Sequence, residues 1–126
     1  MALIALAAAS CQGDSAPDNS RLLQAFRNGD VGVWVTGRGT VTQLLGDETP
    51  AGLTHQRFNV EIGDELRVLL AHRVGESGRV PVKEGDKVTF RGRYEFNASG
   101  GTVTTGRLGD NETVSGWVEH RGKQYD

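Results

Sequence analysis

The sequence has little of what stabilises or directs many small specialised proteins. Its 126 residues include one cysteine and three prolines, and Lys+Arg 14 against Asp+Glu 16 give a net charge of -2. A single cysteine excludes an internal disulfide framework and a cysteine-rich zinc site. The balanced charge argues against a protein that binds polyanions through bulk positive charge. The length allows one domain.

The abundant residue is glycine, with 18 copies, and it accompanies short apolar runs that alternate with polar residues. This combination is typical of a turn-rich β domain rather than a disordered chain. Alternation predicts strands at 33–41, 55–62, 66–72, 88–94 and 102–105, with Gly37 and Gly39 bending the first strand. Gly63-Asp64 predicts a hairpin turn, 46–54 a loop, and 117–125 a terminal segment.

A short helix is predicted ahead of the strands, capped by Asn19 or Ser20 and ended by Gly29. The apolar residues on its buried side are Leu22, Leu23, Ala25 and Phe26. Five strands with a long connection between the third and fourth predict an all-β fold. More specifically, they predict a small five-stranded OB-fold-like barrel with a short N-terminal helix.

The first residues resemble a bacterial lipoprotein signal. Residues 1–10 are uncharged and run directly into Cys11, and they are too few to span a bilayer. We expect a signal peptide over 1–10 (with the true start codon further upstream), lipidation at Cys11, a linker over 11–19 and the barrel over 20–126. These features predict an exported protein on the periplasmic face of a bacterial membrane. The alternative is a short apolar helix packed on the domain, with Cys11 buried.

Several sequence blocks in one order resemble a single family. They are His-Gln-Arg-Phe at 55–58, Leu-Leu-Ala-His at 69–72, Gly-Asp at 85–86, Tyr-Glu-Phe-Asn at 94–97, Gly-Gly at 100–101 and Gly-Trp-Val at 116–118 followed by His120 and Tyr125. The match extends from about residue 55 to 125 and is to the bacterial exported family called domain of unknown function 3465. The resemblance implies a shape and an exported location, and it implies no activity.

We expect a ligand surface at the rim of the barrel, where polar and aromatic groups are densest. The candidate residues are His55, Arg57, His72, Tyr94, Glu95, Asn97, Trp117 and His120. The expected partner is a small ligand, a glycan or an envelope protein, bound by a module without a cofactor. No metal is expected, because no two histidines have the spacing of metal ligands. Tyr94 is equally compatible with a place in the core.

Two other functions are weighed against this one. A metal-dependent hydrolase of the nuclease or phosphodiesterase kind would use Asp47, Glu48 and Arg57 in a cleft. Nucleic-acid binding would use Arg57, Arg91 and Arg93, with Trp34 or Tyr94 as stacking platforms. We expect nucleic acid not to be a partner, because the basic residues alternate with acidic ones along the chain and predict cross-strand ion pairs.

Overall fold

The fold is seen in a computed structural model that describes residues 17–107 and 115–126. The expected signal peptide, Cys11 and most of the linker lie outside the described residues. Within the described part, no helix is long and apolar enough to cross a membrane. Those residues form one helix, a short 3-10 turn and seven strands of a single sheet.

Helix α1 spans Asn19–Asn28, and its cap lies one residue before the first predicted cap. The Asp18 side chain accepts a hydrogen bond from the Arg21 backbone N–H, so Asp18 is the N-cap, and Gly29 ends the helix in a left-handed conformation. The predicted apolar side is confirmed: Leu22 and Ala25 are buried, and Leu23 and Phe26 pack partly against the core.

The seven strands are β1 (Val31–Glu48), β2 (His55–Ile62), β3 (Leu66–Arg73), β4 (Lys87–Glu95), β5 (Thr102–Thr105), β6 (Trp117–His120) and β7 (Lys123–Tyr125). The hydrogen-bonded order β1-β2-β3-β5-β4 returns to β1 through β1–β4 pairing, and β3 and β5 are parallel. The prediction of an all-β, five-stranded barrel is confirmed. The terminal segment forms the β6–β7 hairpin, which joins the free side of β4.

Strand β1 closes the ring because its two halves pair with different strands. Residues 31–40 pair with β4, and residues 40–48 pair with β2. At the changeover a side chain on Gly39 would collide with the Glu61 carbonyl oxygen, so the close approach of β1 to β2 requires glycine there. The strand continues to Glu48, so the predicted loop start at Gly46 was wrong: the β2 partner extends the ladder past that glycine.

The barrel interior is filled by the inward side of each strand. Phe58, Val60, Val68, Leu70 and Phe90 are fully buried there. Helix α1 covers one end of the barrel, where Leu22 lies against Gly37 and Phe90. Leu22 and Ala25 are the helix residues buried at this end.

Candidate ligand-binding face

Opposed residues in a sheet share a face, so the register of β1, β4 and β6 shows which side chains lie together on the outside. Trp34 is opposite Arg93, and Thr36 is opposite Arg91, which is itself opposite Trp117. The next rows are Arg38–Thr89–Glu119 and Thr40–Lys87. We call this surface the tryptophan face, defined by Trp34, Thr36, Arg38, Lys87, Thr89, Arg91, Arg93, Trp117 and Glu119.

Arg91 occupies the centre of the tryptophan face. Its guanidinium carbon lies 5.3 Å from the Trp34 ring centroid, and its Nη1 donates to Thr36 Oγ1 at 3.1 Å. Stacking on the indole and the hydrogen bond hold the guanidinium in place. Both tryptophans are half-buried, which leaves part of each indole in contact with solvent. Two aromatic surfaces beside a fixed cation make a platform that can pack against the apolar side of a ring-shaped ligand.

A cavity of about 580 Å³ continues this face past Arg91. It is lined by Arg38, Lys87 and Thr89 from the barrel strands and by Glu119 and Arg121 from the β6–β7 hairpin. Neither the Arg38 guanidinium nor the Lys87 ammonium bonds a carboxylate among the described residues. The cavity therefore adds positive charge to the tryptophan platform.

A buried hydrogen bond supports the hairpin that carries Trp117. His120, which is 3% exposed, donates from Nε2 to Asp86 Oδ2 at 2.8 Å. The same carboxylate accepts from the Lys83 backbone N–H at 3.0 Å and lies 3.6 Å from Arg121. The His120 hydrogen bond is the largest of the contacts that lower the pKa of Asp86. Asp86 thus ties β6–β7 to the connection between β3 and β4.

His72 lies inside the barrel, at the end away from α1. It continues the inward row of β3, shows no exposed surface, and its Nδ1 lies 2.8 Å from Thr105 Oγ1. Its Nε2 has no hydrogen-bond partner among the described residues. Burial lowers the pKa of His72 to about 4, so the ring is neutral near pH 7. Beside it, the buried Gln56 amide exchanges two hydrogen bonds with the Val80 backbone.

The other candidate residues lie apart from the tryptophan face or serve local structure. His55 begins β2, is partly exposed and bonds the Leu53 carbonyl, whereas His72 is buried, so the two rings lie on opposite sides of the barrel wall. Tyr94 is fully buried and donates to the Gly100 carbonyl at 2.9 Å, which places its ring in the core. Asn97 accepts hydrogen bonds from the turn amides of Ser99 and Gly101, while Glu95 is exposed at the end of β4.

The residues of the hydrolase alternative do form a neighbouring group, but as ion pairs. Asp47 makes a two-bond contact with Arg79 at 2.8 and 3.1 Å, and Glu48 lies 3.6 Å from Arg57. The hydrogen bond from Arg79 is the main reason that the pKa of Asp47 is lowered. Among residues 17–107 and 115–126, no three His, Cys, Asp or Glu side chains come together as a metal site.

The structure brings one candidate, Trp117, into a group that sequence reasoning did not assemble. Arg57, Arg91 and Arg93 were considered as an outward surface, with Trp34 or Tyr94 as stacking platforms. Arg57 does pair with Glu48, but Arg91 and Arg93 form no ion pair within the described residues. Arg38 and Lys87 were missed altogether. The alternation of apolar and polar residues could have identified them, because both lie on the polar side of strands whose apolar side is clear in the sequence.

Comparison with known proteins gives a family and no activity. No curated protein matches the chain. The family described as "Protein of unknown function (DUF3465)" matches residues 3–126, which is nearly the whole sequence. The chain therefore belongs to the DUF3465 family of proteins of unknown function.

Proposed function

We propose that this protein is an exported, lipid-anchored accessory module of the bacterial cell envelope that binds glycan through its tryptophan face. The observation that carries the proposal is the arrangement of Trp34, Arg91 and Trp117 on one outer surface. Sugar rings present C–H groups on one side and hydroxyls at the edge. Indole surfaces suit the first, and a fixed guanidinium with its donor N–H groups suits the second.

Glycan is favoured over nucleic acid by the expected location of the protein. The apolar segment 1–10 followed by Cys11 predicts export and lipid attachment. An envelope protein encounters abundant carbohydrate and little single-stranded nucleic acid. The tether between Cys11 and α1 is short and polar, which suits a barrel held near a membrane surface.

Binding of the full chain to an oligosaccharide panel tests the proposal, with a twelve-residue oligothymidylate as competitor. The panel contains cello-, chito- and galacturono-oligosaccharides. We expect at least one sugar to bind, and Trp34→Ala and Trp117→Ala each to weaken it by about tenfold, which corresponds to about 1.4 kcal/mol.

Arg57→Ala is the matched control, because Arg57 is a partly exposed arginine on the outer side of β2, away from this surface. Its affinity for the sugar should equal that of the wild-type chain. Tighter binding of the oligonucleotide than of every sugar would contradict the proposal. For the anchor, Cys11→Ser in cells should release the protein from the membrane fraction; unchanged membrane association would contradict lipid attachment.

A further inference from the structure

We infer that the cavity beside the platform is an oxyanion subsite, so that the glycan bound by this protein is an acidic one. This inference rests on the proposed function and specifies its ligand. The group taken by the cavity would be a carboxylate of a uronic acid or a phosphate ester on a sugar. The carboxylate is planar and the phosphate is tetrahedral, and guanidinium and ammonium groups bind both oxyanions through charge-assisted hydrogen bonds.

The cavity lining carries more positive than negative side chains. Arg38, Lys87 and Arg121 line it, and the carboxylates facing them are Glu119 and Asp86. Asp86 already accepts from His120 and from the Lys83 N–H, and its Oδ1 lies 3.6 Å from Arg121. Three cations thus face two carboxylates, of which Asp86 is already engaged, so the lining keeps a net positive charge. An oxyanion bound beside Arg38 and Lys87, which bond no carboxylate among the described residues, would balance this charge.

Two of the three cations lie at backbone positions with defined local structure. The Asn19 side chain bonds both sides of the Arg38 backbone, at 2.9 Å from the N–H and 3.0 Å from the carbonyl oxygen. Arg121 has φ 54 in the turn between β6 and β7, a conformation that asparagine, aspartate or glycine adopts at lower cost. The turn geometry alone would therefore not select arginine at this position, and Arg121 lines the cavity.

The cavity and the platform are placed to act on one ligand. The row Arg38–Thr89–Glu119 is two residues along β1 and β4 from the row Thr36–Arg91–Trp117. That step is about 7 Å along the strands. A saccharide with one ring on the indoles thus places a neighbouring acidic substituent within reach of the cavity cations.

The test compares two oligosaccharides of the same backbone, one with free carboxylates and one with neutral methyl esters. Oligogalacturonate and its fully methyl-esterified form are titrated into the full chain by calorimetry. We expect the acid to bind at least about tenfold more tightly than the ester. The double variant Arg38→Gln/Lys87→Gln should lose that preference, so that the acid and the ester bind with nearly equal affinity. Arg67→Gln, an exposed arginine on β3 without a carboxylate partner among the described residues, is the matched control and should keep the preference.

A phosphorylated oligomannoside distinguishes the source of the oxyanion. Binding of the phosphorylated sugar with the same dependence on Arg38 and Lys87 supports the subsite and assigns it to phosphate. Equal binding of the galacturonate acid and ester, both weakened by Trp34→Ala, overturns the inference and leaves the proposed function standing. If none of these sugars binds while a cello- or chito-oligosaccharide does, the inference is overturned and the proposed function stands; if no sugar binds at all, both are overturned.

Discussion

Arginines lie on two outer surfaces of the barrel. One surface is the outer side of β2 with the end of β1, and the other is the tryptophan face of β1, β4 and β6. Beside β2, Arg57 lies 3.6 Å from Glu48, and the neighbouring Arg79 holds Asp47 at 2.8 Å. On the tryptophan face, within the described residues, Arg93 and Lys87 bond no carboxylate and Arg91 is stacked on an indole. A chain with a net charge of -2 thus keeps one surface positive by pairing its arginines elsewhere.

This difference shows that charge balance along a sequence does not reveal charge balance on a surface. Paired arginines add little to stability and are poorly available to a ligand, because the carboxylate already occupies them. Unpaired cations beside aromatic side chains are available. The two faces differ in whether their arginines have carboxylate partners, and not in whether arginines are present.

The largest expected effect comes from disrupting β1 at the point where its pairing changes from β4 to β2. Gly39 lies where β1 changes partner, and Gly39→Ala would drive a methyl group into the Glu61 carbonyl. We expect a loss of about 3 kcal/mol in the free energy of unfolding, measured by denaturant titration. Gly46→Ala is the control, since a methyl group on Gly46 would have no atom of another element within 4 Å. A change below about 0.5 kcal/mol in both variants would contradict the account of β1.

Acid should weaken the β2–β3 side of the barrel first. Because the pKa of buried His72 is lowered to about 4 from 6.5, the unfolded chain binds the proton more readily. The free energy of unfolding has its full value above pH 6.5, where His72 is neutral in both states. It falls by about 3 kcal/mol as the pH is lowered towards 4. Denaturant titrations at pH 7, 5.5 and 4 measure this loss.

The control for His72 removes both partners of its hydrogen bond. The double variant His72→Leu/Thr105→Val takes away the titrating ring and leaves no unpaired hydroxyl. Its stability should change much less than that of the wild-type chain between pH 6.5 and 4. Asp47 and Asp86 have lowered pKa values, so their contributions are lost only below that window. Parallel curves for both proteins would contradict the role given to His72.

A smaller effect is expected from loosening the hairpin under the tryptophan face. His120→Phe removes the hydrogen bond to Asp86 while keeping a ring in the buried site. We expect a loss of about 2 kcal/mol in stability and a several-fold weaker affinity for the oligosaccharide, because Trp117 shares this hairpin. His55→Phe on the other face should leave the affinity unchanged. Unaltered sugar binding by His120→Phe would show that the hairpin does not position the platform.

The smallest effect is expected on the paired face. Glu48→Gln removes the carboxylate that lies 3.6 Å from Arg57, with 62% of the Glu48 side chain exposed. An exposed pair of this kind contributes at most about 1 kcal/mol, and the loss should shrink further at high salt. Thermal unfolding at low and high salt measures it. A loss larger than that of His120→Phe would reverse the comparison between the faces.

Much of the fold could be predicted from the sequence, because each strand has one apolar side. The alternation of Phe58, Val60 and Ile62, for example, requires an inward face for β2, and the buried residues confirm it. The same parity places His72 inside and His55 outside. The extension of β1 past Gly46 could not be predicted, because it depends on β2 as a partner and not on local composition.

The candidate site could be predicted only in part. Trp117 was identified as a recognition residue, but its position beside Arg91 follows from the pairing of β6 with β4. That pairing joins segments distant in sequence, and nothing local specifies it. Arg38 and Lys87 looked like ordinary polar positions, because what distinguishes them is that neither bonds a carboxylate in the part of the chain that the structure describes. Such information exists only once the strands are arranged.

Mapping an acidic oligosaccharide by NMR on the full chain tests the central claim most directly. We expect the indole N–H signals of Trp34 and Trp117 and the backbone amides of Thr36, Thr89 and Arg91 to shift as the sugar is added. The amides of β2 (His55–Ile62) should stay in place. Shifts concentrated on β2 and β3, with unchanged indole signals, would contradict the assignment of the tryptophan face as the binding surface.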